Sequence, residues 1–292
     1  MITSKLSNKI IIGTAQFGLN YGVANLSGKL KIGEIKKIIN YARKNKILNI
    51  DTANAYGDCE KRLGKVGIND FDVIVKLPAL KPTYPYVNWV KNSIRNSFKK
   101  LKINKADTIL VHNTKYLLNS HMGNKIYQEL NNHKNRGIIK NIGVSVYSIS
   151  ELKKVINKFK IDVVLISLNI FDQRILNKKI LSQLKRKKIK IYTRSTFLQG
   201  LLLISKKNIP TKFMKWKKII NSWHNELNKK KLSAYDVCLN FALSNKDIDR
   251  TIIGIDNFKQ FKDIFRKKNK IKFNYNKFNS NKINTLINPS KW

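Results

Sequence analysis

The chain has 292 residues, 42% of them hydrophobic, a length that admits one large α/β barrel or two ordinary domains. Its 59 Lys and Arg against 17 Asp and Glu give a formal charge of +42, which on its own would point to nucleic acid or an anionic membrane. Only two cysteines, Cys59 and Cys238, are present, far apart and outside any CxxC spacing, so neither a disulfide framework nor a metal site is supported.

Short apolar runs alternate with longer segments of helical period along the chain, the pattern of parallel strands joined by crossover helices. Residues 9–14 read as a first strand, and residues 1–8 contain no signal-peptide apolar core. Further strands are predicted over residues 47–51, 71–76, 108–112, 141–145, 163–168, 189–195 and 251–255. Eight strands is the barrel number. Helices are predicted between them, as over residues 34–44, with Ile35, Ile38, Ile39 and Ala42 on one face, over 87–99 after Pro82 and Pro85, and over 150–159. After the seventh strand, residues 206–231 exceed a simple crossover, and an extra helix is expected over 216–228. The tail from residue 269 is rich in Asn and Lys but keeps Phe273, Tyr275, Phe278, Leu286, Ile287 and Trp292, so it is expected to pack on the barrel. No linker rich in Pro, Gly or Ser divides the chain, and no internal repeat is evident. The fold expected is therefore α/β, a single (β/α)8 TIM barrel over residues 1–292.

In such a barrel the catalytic groups come from the C-terminal ends of several strands. Here the second strand ends in Ile50-Asp51 and runs into Thr52-Ala53-Asn54-Ala55-Tyr56-Gly57. The third ends in Lys76 and the fourth in His112. One ionisable residue at a strand boundary is ordinary, since the first solvated residue is often a Lys. Three at consecutive strand ends, with a Tyr added, form a candidate site.

Asp51-Thr52-Ala53-x-x-Tyr56-Gly57 resembles the DTAxxYG signature of the aldo-keto reductases. Later segments follow the same order: Gly137-Ile138-Ile139-Lys140-Asn141-Ile142-Gly143-Val144-Ser145, then Asn169 with Asp172-Gln173-Arg174, then Gly200-Leu201-Leu202 and Ile253-Gly254. The resemblance runs from Gly13-Thr14-Ala15-Gln16-Phe17-Gly18 over nearly the whole chain. Its opening and closing segments are also similar to a bacterial branch associated with cell-surface polysaccharide biosynthesis. The resemblance implies reduction of a small-molecule carbonyl, possible sugar-derived substrates included, by NADP(H) in preference to NAD(H), in the cytoplasm.

It implies roles as well. Hydride added to a carbonyl carbon leaves charge on the oxygen, so a proton donor must lie within hydrogen-bond reach. Tyr56 would be that acid, with Lys76 lowering the phenol pKa and Asp51 holding the ammonium; His112 would orient the carbonyl. No GxGxxG follows a strand, so no Rossmann site is indicated. The resemblance places the cofactor across the barrel rim instead, against Gly13, Ser145, Asn169, Arg194, Ser195, Gly200, Gly254, Lys259, Gln260 and Asp263. The adenosine phosphate would lie at residues 254–259, ahead of the eighth helix, whose N-terminus attracts anions. Three residues depart from the family's pattern: Val146 stands for its Asn, Leu165 for its Gln, and Arg194 for the Tyr that stacks on nicotinamide. Lys259 argues for NADPH, Asp256 for NADH.

Two other readings compete. A barrel that senses cofactor without turnover would have no reason to keep four residues in tuning contact. Specific nucleic-acid binding would need basic residues interleaved with exposed aromatics, or an Arg-rich arm. Only nine of the basic residues are Arg; the excess is Lys, beside abundant Asn and Ile, residues that share AT-rich codons. Runs at 185–188 and 229–231 fall where helices end and cations suit the helix dipole. No run of 18 apolar residues appears, so no membrane-spanning helix is expected. His121, His133 and His224 have no carboxylate or thiol partners at ligand spacing.

Overall fold

The computed structural model describes residues 4–25, 27–80, 85–266, 271–281 and 283–292. Eight parallel strands close into a ring in chain order, β8 pairing back with β1. They are β1 (Ile10–Gly13), β2 (Asn49–Ala53), β3 (Asp72–Lys76), β4 (Ala106–Val111), β5 (Ile139–Ser145), β6 (Val163–Ser167), β7 (Lys190–Arg194) and β8 (Arg250–Gly254). Each falls within two residues of its expected bounds.

The small shifts matter where chemistry is concerned. Strand β2 begins and ends two residues later than expected, so Asp51 lies in its middle and not at its end. Strand β4 stops at Val111, leaving His112 as the first residue beyond it. Lys9, expected in the first strand, belongs to a helical turn, Ser4–Lys9, and its ammonium reaches the backbone carbonyl of Asn245.

The strands read as continuous apolar runs because both faces are buried. On the inner face, Ile11, Ile74, Leu110, Val163, Leu165, Tyr192 and Ile252 form a cluster that fills the barrel. Outward-facing Ile10, Ile12, Val73, Val75, Ile109, Val111, Val164 and Ile166 pack into a larger layer beneath the helices. Gly143 serves this packing: a Cβ there would stand 2.5 Å from Leu110 Cδ2 and 2.8 Å from the Val163 carbonyl oxygen.

The predicted helices appear as Ile32–Lys44, Tyr86–Leu101 and Ile149–Lys158. Pro85 occupies the N-cap of the second, and Pro82 lies outside the described residues. Ser148 caps the third by accepting from the Glu151 amide at 3.1 Å, while Glu151 Oε2 accepts from the Tyr147 amide at 2.8 Å. The extra helix after β7 spans Lys217–Lys229, followed by Ala234–Ser244 before β8. Phe273 and Phe278 of the tail meet Trp223 of that extra helix edge to face, at 5.7 and 5.5 Å, and Leu286 and Ile287 are buried. Residues 269, 270 and 282 of the tail lie outside the described set. No helix among the described residues is long and apolar enough to cross a membrane.

Candidate active site

A cavity of about 350 Å³ opens at the C-terminal rim, lined by Gly13, Lys76, Ser145, Arg194 and Gly254 from the ends of β1, β3, β5, β7 and β8. Asp51, Tyr56 and His112 line it too, so the four expected catalytic residues share one chamber. Inside it the Lys76 ammonium is paired with Asp51 Oδ1, and both side chains are almost wholly buried. Burial pushes the Asp51 carboxyl up and the Lys76 amine down, and their mutual attraction opposes both shifts. The Thr14 hydroxyl donates to the Asp51 carbonyl at 2.8 Å and fixes the strand beneath the pair.

Tyr56 stands in the turn that follows β2. Its amide donates to the Ala53 carbonyl at 3.0 Å and its own carbonyl accepts from Cys59 at 3.1 Å, where the helix Cys59–Val66 begins. Gly57 has φ +59°, a left-handed conformation that Gly adopts without strain. Opposite it, Gly18 approaches so closely that a Cβ would lie 1.9 Å from the Tyr56 carbonyl oxygen. Lys76 Nζ lies 5.0 Å from the centre of the Tyr56 ring.

The tuning differs from expectation. Burial raises the Tyr56 phenol well above its ordinary value, the Asp51 carboxylate adds to the rise, and Arg194 is the cation that opposes it. The Lys76 ammonium, expected to lower the phenol, is itself paired with Asp51, whose carboxylate raises it. The resting Tyr56 is a fully protonated donor. Burial, then the charges of Lys76 and Arg194, push the His112 imidazole down to about 4, so it is neutral at physiological pH.

Of the residues expected on the cofactor side, Gly13, Ser145, Arg194, Ser195, Gly200 and Gly254 line the cavity; Asn169, Lys259, Gln260 and Asp263 do not. Asn169 is buried and turns the chain after β6, its Oδ1 accepting from the amides of Phe171 at 2.9 Å and Asp172 at 3.0 Å. The eighth helix, Phe258–Asp263, is only six residues long, and Lys259, Gln260 and Asp263 belong to it. Lys259 is exposed, and Asp263 pairs with Arg266 at 3.3 Å. Two amides of the segment expected to receive a phosphate already have partners, Asp256 donating to Gln260 Oε1 and Phe258 to Glu34 Oε2, and just beyond it the Gln260 amide donates to Asn257 Oδ1. Side-chain oxygens, the Glu34 carboxylate among them, already face that loop.

Two observations bear on a nicotinamide group. The Ser145 hydroxyl is buried with no hydrogen-bond partner, and a carboxamide would supply one. Gly13 and Gly254 leave a bare backbone wall on the β1–β8 side, where a Cβ on Gly254 would stand 3.1 Å from Gln16 Nε2. Val146 is buried outside the lining, and Leu165 lines the cavity beside Ser145 in register. These residues fit the group, with fewer polar contacts than the family's usual set.

Sequence reasoning left out several wall residues: Gln16, Tyr21, Tyr147, Gln199 and Pro289. Gln16 lies in the helical turn Ala15–Gly18, inside the opening motif, and Tyr21 follows three residues after it. Gln199 belongs to a strained turn after β7, in which Ser195, Leu198 and Gln199 have φ of 65°, 48° and 53°. Such non-Gly left-handed residues gather where a site demands them. The Gln199 carbonyl accepts from the Val23 amide at 2.7 Å, tying this turn to the loop after β1. No cluster of His, Cys, Asp or Glu able to hold a metal occurs among the described residues.

The sequence matches the model of the Aldo/keto reductase family over residues 9–283. No curated protein matches it. Solved structures share its fold: a protein described as a candidate aldo-keto reductase from Pseudomonas aeruginosa has 18% identity and a TM-score of 0.63, covering 88% of each chain. A glycerol dehydrogenase from Gluconobacter oxydans has 18% identity and a TM-score of 0.64, covering 89% of this chain and 87% of that one.

Proposed function

The chain belongs to the aldo/keto reductase family, oxidoreductases of small-molecule carbonyls, and from that membership we propose that it reduces an aldehyde or ketone to an alcohol with NAD(P)H. The observation that carries this reading is the buried Asp51–Lys76 pair lying against the Tyr56 ring, with neutral His112 in the same chamber. A sugar-derived carbonyl is the substrate suggested by the opening and closing motifs.

When bound, NAD(P)H supplies the hydride. Ser145 would hold its carboxamide, and Gly13, Ser195, Gly200 and Gly254 would give it backbone to lie against. Lys259 favours NADPH, while Asp256 and Glu34, which accept at the same loop, favour NADH; fluorescence titration with both decides.

The chain's own residues manage the proton. Neutral His112 donates a hydrogen bond to the carbonyl oxygen and orients it. As negative charge grows on that oxygen, Tyr56 Oη gives up its proton to it. The phenolate left behind is favoured by the charge of Arg194. A phenol whose pKa is high at rest loses its proton only when a stronger base appears beside it, which ties proton release to the chemical step.

The test is Tyr56→Phe, assayed for NADPH and NADH oxidation over a panel of aldehydes and sugars. Turnover falls by about 10²-fold to 10⁴-fold, the range for a positioned acid. A variant within threefold of the parent, roughly 0.6 kcal/mol, would remove Tyr56 from the mechanism.

A further inference from the structure

Arg194 is the residue the reaction above leaves least explained. Its guanidinium carbon lies 4.4 Å from the centre of the Tyr147 ring, and one terminal nitrogen donates to the Val146 carbonyl at 3.1 Å. Those contacts fix the plane. Its Nε is buried and has no hydrogen-bond partner, and Arg194 forms no ion pair among the described residues. A guanidinium carries five N–H donors in a fork that matches two oxygens of a carboxylate or phosphate. Leaving such a donor buried and unpaired is costly unless a partner arrives.

Of the carboxylates among the described residues that line the cavity, none is bonded to Arg194. Asp51 is taken by Lys76. Asp256, the other acidic residue of the wall, accepts from Gln16 Nε2 at 3.1 Å and from Gln260 Nε2 at 3.4 Å, and Arg194 is not among the groups that act on it. Arg194 does act on Asp51, Lys76, Tyr56, His112 and Tyr21, so its charge lies near the reacting centre and away from the Asp256 wall, though it bonds to none of them. The buried, unpartnered Ser145 hydroxyl is in the same chamber.

Resting on the carbonyl-reduction reading, we propose that the substrate carries an anionic group, a carboxylate or phosphate close to its carbonyl, and that Arg194 binds it. The group completes the donor set at Nε while the carbonyl oxygen reaches Tyr56 and His112. Arg194 thereby selects acidic aldehydes and ketones over neutral ones.

Two measurements test this. Binding of benzoate, benzamide and inorganic phosphate to the whole protein is followed by isothermal titration calorimetry, with and without NADP+. Benzoate or phosphate binds to the parent, benzamide does not, and Arg194→Gln weakens the anion by about 10-fold to 100-fold, the loss of one hydrogen-bonded charge partner. Preference between the two anions identifies the group. Equal binding of benzoate and benzamide by the parent, which needs no variant to fold, overturns the proposal. So does an Arg194→Gln variant that weakens NADP+ and leaves benzoate unchanged, since Arg194 would then serve the cofactor. In turnover, 4-carboxybenzaldehyde is set against its carboxamide, and glyceraldehyde 3-phosphate against glyceraldehyde. The parent prefers an anionic member, and that preference collapses in Arg194→Gln and partly returns in Arg194→Lys. If no carbonyl is reduced while benzoate still binds through Arg194, the anion site stands and carbonyl reduction falls.

Discussion

His112 and Tyr56 show how one chamber pushes two groups towards their neutral forms by the same means. Desolvation disfavours the imidazolium and the phenolate alike, and the cations Lys76 and Arg194 add to it for His112. For His112 the consequence extends to stability. Its pKa falls from 6.5 to about 4 on folding, so between those values the unfolded chain takes up a proton that the folded one refuses. The contribution is present above pH 6.5 and is lost as pH falls towards 4. In His112→Gln, thermal unfolding should show a shallower loss of Tm across that window than the parent does; parallel curves would contradict it. At this scale the sequence was informative wherever residues lie in one motif. Asp51 and Tyr56 are five positions apart, Lys76 ends the next strand and His112 directly follows the one after it. The direction of the Tyr56 shift was not legible, because it depends first on how deeply the phenol is buried and then on the Asp51 carboxylate beside it. Arg194 was visible as a departure, but its idle Nε appears only once Val146 and Tyr147 surround it.

Elements were readable to the extent that their signals are local. Apolar runs of four to seven residues gave the strands, and 3.6-residue periodicity gave the helices. The turn after β7 was not readable, since nothing in Ser195, Leu198 or Gln199 announces a left-handed backbone. Close approaches between elements were hidden too. Gly64, in the helix Cys59–Val66, faces the helix Tyr86–Leu101 so tightly that a Cβ would fall 2.1 Å from the Lys100 carbonyl oxygen. Gly64→Ala should therefore cost about 1–3 kcal/mol through overpacking, against the gain in helix propensity that Ala gives elsewhere. Calorimetry would register this as a Tm lower by roughly 2–10 °C; an unchanged or higher Tm would mean the helices separate freely.

The whole molecule carries a charge of +42, and few carboxylates are available to offset it. Several of the ion pairs that do form are exposed, as between Lys29 and Asp58 and between Lys37 and Glu34, and such pairs contribute little. Self-repulsion among lysines should dominate the salt response. Raising NaCl from about 0.01 M to about 1 M, which shortens the screening length from roughly 30 Å to roughly 3 Å, should raise Tm, and a fall would show that attractive pairs prevail. Repulsion also keeps copies apart in dilute buffer, and salt removes that protection. The ring then becomes important for a different reason. With β8 bonded to β1 through four residue pairs from Ile10 to Gly13, every strand has a neighbour on both sides. None of the eight described strands is left with a free row of amides and carbonyls, so the barrel offers a second chain no edge on which to extend the sheet. Aggregation by strand addition must wait for the seam to open, and a protein concentrated in high salt is guarded by its topology after its charge has been silenced.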